Sequence, residues 1–275
     1  FTVEEGLDLN ATLLLPLGQE EPIPVMICLQ GHTAGAHVSL GEIRHPKDKD
    51  GKAGDRDFAR QVIARGMAAF VMDQRCFGER EDARPKALRS PTSKKDPFSD
   101  ERCRHQSMLA LLLGRTMVGE RVHDVMQAIT VLDSMPEIDS HSIYCMGNSG
   151  GGTITYYAAC LDSRIAGAIV SCGFSTYEHS ICRHDHCCDN YLPGALKFFD
   201  MPDLAVCIAP RPLVVVSGLH DPLFPPEGVR PAVSVVRDMY TSKGHQERFH
   251  HVEGSEGHRF YAKKAWPVFL KQLKQ

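Results

Sequence analysis

Residues 143 to 152, Ile-Tyr-Cys-Met-Gly-Asn-Ser-Gly-Gly-Gly, restrict the fold of this chain more than any other stretch. An apolar run enters Gly147, one serine stands among glycines, and residues 153 to 160 suit a helix. That order reads strand, tight turn, helix. A G-x-S-x-G turn of this kind, here Gly147, Ser149 and Gly151, holds its serine in a strained conformation that only small neighbours tolerate. It also lifts the hydroxyl above the carboxyl edge of a sheet.

A serine hydroxyl is a weak nucleophile at its own pKa and needs a base. The base in turn needs an acid to fix its tautomer and to stabilise the imidazolium. On a strand-turn-helix scaffold the partners are expected in the order serine, acid, histidine, each just after a strand. Asp221 follows the apolar run 212 to 218, in a loop stiffened by Pro222 and Pro225, and His258 lies in Gly254-Ser255-Glu256-Gly257-His258. Ser149, Asp221 and His258 are therefore the candidate catalytic residues. His220, His250, His251 and Glu253 are their rivals. Two backbone N–H groups must also face a developing oxyanion. Gly150, next after the serine, supplies one, and His32, in the turn after the apolar run 25 to 29, is the expected second. Gln30, Gly31, Asn148, His184 and His186 are the candidate substrate contacts.

Along the chain, residues 1 to 17 read as a hairpin or paired edge strands, and 25 to 29, 67 to 72, 165 to 170, 212 to 218 and 247 to 252 as further strands. Helices are expected over 57 to 65, over 103 to 133 with interruptions near Gly114 and Gly119, over 228 to 240 and over 262 to 273. Residues 44 to 57, of mixed charge, read as a solvated loop. Residues 81 to 100, polar and proline-rich, read as a surface excursion. The stretch 173 to 203, rich in Cys, His, Pro and aromatics, reads as a lid or pocket-wall insertion in a single domain spanning 1 to 275. Strands alternating with helices imply a mostly parallel sheet covered on both faces, with ligands bound beyond the carboxyl ends of its strands.

Of 275 residues, 43% are hydrophobic and 24% charged, with a net charge of −3. These values suit a soluble globular domain and give no basis for a nucleic-acid surface. No apolar run approaches the roughly 18 residues of a membrane span. The first ten residues lack the basic and apolar regions of a signal peptide, although the chain begins without Met, so a removed segment is compatible with it. Of the ten cysteines, Cys28, Cys145 and Cys172 lie in or at the ends of apolar strand-like runs, Cys160 in an expected helix and Cys207 in an apolar segment, where a thiol acts as a small hydrophobe; a reducing, cytoplasmic setting is expected. Cys182, His184, His186 and Cys187 lack the spacing of a closed zinc site, and Gly150 to Gly152 lack the Lys-Ser/Thr of a phosphate loop. No metal and no cofactor are expected.

The combination of Gln30-Gly31-His32, the segment Asp73 to Arg80, Met146 to Gly151, Ala209-Pro210-Arg211-Pro212, Asp221 to Pro225 and Gly257 to Phe260 resembles the α/β-hydrolase superfamily. Within it the chain is similar to acetylxylan esterases and dienelactone hydrolase-like esterases. The resemblance covers residues 12 to 269. It implies the α/β-hydrolase fold and a Ser149, Asp221, His258 triad working through an acyl-enzyme on small-molecule or oligosaccharide esters, acetyl esters first. Lactonase, dienelactone hydrolase-like or peptidase chemistry on the same triad is the alternative, and a non-catalytic binding protein a more distant one. Nucleic acid and membrane are not expected partners, and a homo-oligomer is compatible with the sequence. Ser149 stands where dienelactone hydrolases carry cysteine. Cys76 and Gln30 stand where acetylxylan esterases usually have Gly and His.

Overall fold

The computed structural model describes residues 1–18, 22–33, 35–81 and 101–274, and the side chains of residues 101 and 102 lie outside that description. The first two strands, β1 (Thr2–Glu4) and β2 (Leu7–Asp8), pair with each other as a small antiparallel ribbon. Next come β3 (Ala11–Leu14), β4 (Ile23–Leu29), α1 (Asp48–Ala53), α2 (Phe58–Ile63) and β5 (Ala68–Met72). The middle of the chain holds α3 (Glu101–Leu112), α4 (Met117–Asp133), β6 (Ile138–Asn148), α5 (Gly150–Leu161) and β7 (Ile165–Ser171). The last third supplies β8 (Leu213–Gly218), α6 (Pro226–Ser242), β9 (Phe249–Gly254) and α7 (Ala262–Gln272).

Seven strands form one sheet in the order β3-β5-β4-β6-β7-β8-β9, parallel throughout except for β3, which runs antiparallel at the edge. Alternation along each strand divides the core. Val25, Ile27 and Leu29 of β4 join Ile143, Cys145, Ala168, Val170, Leu213 and Val215 on one face, where α4, α5 and α6 pack. Met26 and Cys28 join Tyr144, Met146, Ile169, Val214 and Val216 on the other, under α2 and α7. Helices on both faces leave no solvated side, so these strands are continuous apolar runs without a polar alternation. The chain has the α/β-hydrolase architecture: a mostly parallel sheet sandwiched by helices.

Several expectations needed correction. Residues 44 to 57 are not simply solvated. They contain α1, and Asp48, 3% exposed, bonds through Oδ2 to His37 Nε2 at 2.9 Å and to the amides of Arg44 and His45 at 2.9 and 2.7 Å. One carboxylate gathering three donors draws Asp48 inward, while Arg44, Lys47, Lys49, Asp50 and Lys52 stay exposed as expected; composition does not reveal that pairing. Gly119 interrupts nothing: it lies in the first turn of α4 and donates to the Thr116 cap at 3.1 Å. Residues 201 to 207 form a 3-10 helix that opens on an Asp200 capping box. The excursion expected over residues 81 to 100 lies, after Glu81, outside the described residues.

Candidate active site

β6 hands the chain to α5 through a single residue, Ser149, whose φ of 59° and ψ of −130° lie in territory costly to any residue with a side chain. The neighbouring glycines make the turn possible. A Cβ on Gly147 would run into the Gly151 carbonyl, and one on Gly151 into the carbonyl of Leu29 at the end of β4. The Ser149 amide donates to the Ser171 carbonyl at 2.8 Å, tying the elbow to the end of β7.

The loops after β8 and β9 bring the other two residues together. Asp221 Oδ2 stands 2.8 Å from His258 Nδ1, and Asp221 Oδ1 accepts from the amides of Leu223 and Phe224 at 2.9 and 3.2 Å. Burial works against the charged carboxyl, but the His258 bond and the two amides outweigh it and hold Asp221 below the usual carboxylate range. With Nδ1 committed to Asp221, Nε2 is the His258 nitrogen left for proton transfer. The Phe224 ring stacks on the imidazole, with centroids 6.2 Å apart and planes 20° apart, and Arg56 Nη2 donates to the His258 carbonyl at 2.9 Å. The rivals are engaged elsewhere: His251 Nε2 with Ser217 Oγ at 2.8 Å, His250 Nε2 with the Glu247 carbonyl at 3.1 Å, and Glu253 with Arg230. His220 takes part through its backbone, donating to the Glu256 carbonyl at 2.9 Å.

Ser149 and His258 line one cavity of about 350 Å³, together with His32 and Gly150. A second cavity, of about 360 Å³ beside Asn10, Asp73 and Glu79, holds none of the three triad candidates. The five residues expected to touch substrate divide. His186 lines the first cavity. His184 is not among the lining residues, although its ring lies 6.4 Å from that of His186. Gln30 is buried and directs Nε2 to Ser39 Oγ and the Arg56 carbonyl at 2.8 and 2.7 Å, while Asn148, also buried, accepts from Ser171 Oγ at 2.8 Å. Their side chains therefore brace the two turns from inside. Gly31 contributes closeness of backbone to the elbow.

Arg56, Asp185, Cys187, Asn190, Leu223 and Phe224 also line the cavity and were not among the expected substrate contacts. Arg56 was hidden in a run that looked like a solvated face. Asp185, Cys187 and Asn190 come from the stretch 173 to 203 and line the cavity beside the triad candidates. His32 faces Asp189 of the same stretch, Nε2 to Oδ2 at 3.2 Å. Burial alone would lower the pKa of this imidazole, yet Asp189, with Cys103 assisting, raises it to about 10.

The acetyl xylan esterase (AXE1) family model matches residues 1–201. A hydrolase-like protein of Bacillus subtilis (strain 168), YtaP, is 28% identical over 169 residues, 58% of this chain and 56% of its own length, so the match spans little more than half of that relative. Among solved structures, an acetyl xylan esterase-like protein from Bacteroides fragilis NCTC 9343 superposes with a TM-score of 0.74 at 18% identity, covering 99% of this chain and 72% of its own. A glucuronoyl esterase from Solibacter usitatus gives 0.62 at 16% identity, over 97% of this chain and 76% of its own. A dienelactone hydrolase-like protein from Klebsiella pneumoniae subsp. pneumoniae MGH 78578 gives 0.58 at 14% identity, over 97% of this chain and 90% of its own. At these identities the superpositions speak for the fold.

Proposed function

The chain belongs to the acetyl xylan esterase family, and from that premise we propose that it is a serine hydrolase that removes small acyl groups, acetyl above all, from carbohydrate or similar small esters. The observation that carries the proposal is the His258–Asp221 pair, 2.8 Å apart, beside a cavity that also contains the strained Ser149. Ser149 Oγ attacks the ester carbonyl while His258 Nε2 takes its proton. Asp221 holds the imidazole in the productive tautomer and stabilises its cation. The amides of Gly150 and His32 receive the oxyanion, each lowering the barrier by about 3 kcal/mol. His258 then protonates the departing alcohol. An acyl-Ser149 ester remains, and water attacks it by the same route in reverse roles.

The polar wall of Arg56, Asp185, His186 and Asn190 suits a hydroxylated alcohol. We place all 275 residues in one domain, with 173 to 203 as its pocket wall, in a reducing, cytoplasmic setting. Among the described residues no helix is long and apolar enough to cross a membrane. A second reading rests on Arg56, which lines the cavity and whose Nη2 donates to the His258 carbonyl at 2.9 Å. A guanidinium so placed suits an ester or lactone that carries its own carboxylate.

Initial rates on p-nitrophenyl acetate, acetylated xylo-oligosaccharides, methyl esters of uronic acids and anionic lactones, each with wild-type protein and Ser149→Ala, test both readings. Ser149-dependent turnover led by acetyl esters is the expected result. A lead for the anionic lactones would replace the first reading by the second, and equal rates for the two proteins would remove both.

A further inference from the structure

The strongest cluster of unassigned chemistry lies behind the oxyanion turn. His32 Nε2, Cys103 Sγ, Cys187 Sγ and an Asp189 oxygen all lie within 4.8 Å of one another, and they come from three separate parts of the fold: the turn after β4, helix α3 and the pocket-wall insertion. We propose that these four side chains form a closed, structural site for a divalent ion of the zinc class.

Ligands at about 2.0 to 2.3 Å from one ion in tetrahedral array stand about 3.3 to 3.8 Å apart. His32 Nε2 lies 3.2 Å from Asp189 Oδ2 and 3.8 Å from Cys103 Sγ, so small adjustments close the shell. One imidazole, two thiolates and one carboxylate are a donor set that zinc accepts. Cys103, Cys187 and Asp189 are all buried, and the site meets solvent where His32 and Cys187 border the cavity. Four protein ligands leave no open position, the mark of a structural site.

The surroundings fit an outer shell. Arg121, 2% exposed, donates Nη1 to Asp189 Oδ2 at 2.6 Å and Nη2 to Cys103 Sγ at 3.6 Å, and Asn190 Nδ2 donates to Asp189 Oδ1 at 3.1 Å. Ligating carboxylates and thiolates are commonly oriented by such donors. With Arg121 counted, the charges of a divalent ion, two thiolates and one carboxylate balance within the buried cluster, which limits the desolvation cost of the assembly. The ion would fasten the pocket wall to the turn that carries His32 without entering the ester chemistry. The linear run Cys182 to Asp189 does not disclose this site, because only Cys187 and Asp189 belong to it and its other two donors lie far away in sequence.

The test uses the full chain, purified under reducing conditions and stripped with a chelator, then titrated with Zn²⁺ and separately with Co²⁺. One ion per chain by atomic emission, a thiolate-to-cobalt charge-transfer band and a rise in melting temperature with Zn²⁺ are expected. Cys103→Ser and Cys187→Ser should each abolish most of that band. Cys182→Ser and Cys207→Ser, both at exposed thiols, should keep it. The wild-type measurements stand even if a ligand variant fails to fold. Absence of the band in reduced wild-type protein, or its survival in both ligand variants, overturns the proposal, as does a Cys103–Cys187 disulfide whose reduction restores no metal binding.

Discussion

Gly31 and Ser149 touch: a Cβ on Gly31 would stand 2.7 Å from the Ser149 Cβ and 2.6 Å from the Asn148 carbonyl oxygen. The turn after β4 and the elbow after β6 are thus pressed together with no room for one methyl. β4 and β6 are neighbours in the parallel sheet, Leu29 standing opposite Gly147, so both turns emerge at the same edge and in contact.

That contact predicts the effect of Gly31→Ala. The added methyl must displace the elbow or the His32 turn, and a misplacement of about 1 Å costs about a hundredfold in rate. Steady-state kinetics on p-nitrophenyl acetate should show kcat lower by about ten- to a hundredfold with KM changed less. Wild-type kcat in a correctly folded variant would mean that the turn after β4 takes no part in the chemistry.

The Asp221–His258 bond predicts a graded series. Asp221→Asn removes the charge and favours the wrong tautomer, an exchange that lowers kcat by about 10⁴ in a triad. Ser149→Ala should lower it by at least about 10³, and the double variant should be no slower than the slower single, since triad members act as a unit. Additive losses in the double variant would show that Asp221 serves some other function.

Arg75 predicts a stability effect remote from the chemistry. Its guanidinium, 13% exposed, pairs with Glu4, Glu120 and Asp124, the last of them 1% exposed. Arg75→Met leaves a buried carboxylate without its bidentate partner, a change that costs about 3 to 5 kcal/mol. Urea unfolding followed by far-UV circular dichroism should register that loss. A midpoint within error of wild type would show that Arg80, which also reaches Asp124, suffices alone.

Glu4 predicts an acid limb. Hydrogen bonds from Arg75 and then Arg115 hold its carboxyl at about 2, against an ordinary 4.5. Because the folded pKa is depressed, the contribution is complete above about 4.5 and is lost as pH falls toward 2. Melting temperatures measured across that window should fall less steeply for Glu4→Gln than for wild type, from a lower starting value. Parallel curves would place the acid sensitivity on other carboxylates.

Much of the candidate site was legible before folding was considered. Gly147, Ser149 and Gly151 are adjacent in the chain, and the strain they share is local, so the elbow follows from residue types alone. Asp221 and His258 were legible through chain order and their places after strands, although His220, His250 and His251 offered the same chemistry nearby. Only the register of β8 and β9, which carries His251 to Ser217 and leaves the following loop to bring His258 to Asp221, separates them. Gln30 and Asn148 looked like ligand contacts because they flank the right turns. Burial turned their amides to the interior instead.

Apolar periodicity, glycine placement and the order of three chemically distinct residues determined the layered fold, the elbow and the triad candidates, since each depends on interactions within a few residues or on a topology that admits few alternatives. Tertiary structure decided the rest: that Arg56 leaves a charged run to line the cavity, that Asp48 pairs with His37, and that His32, Cys103, Cys187 and Asp189 converge. Those meetings join groups separated by tens of residues, and their energies depend on distances that exist only once the sheet has brought its turns to one edge.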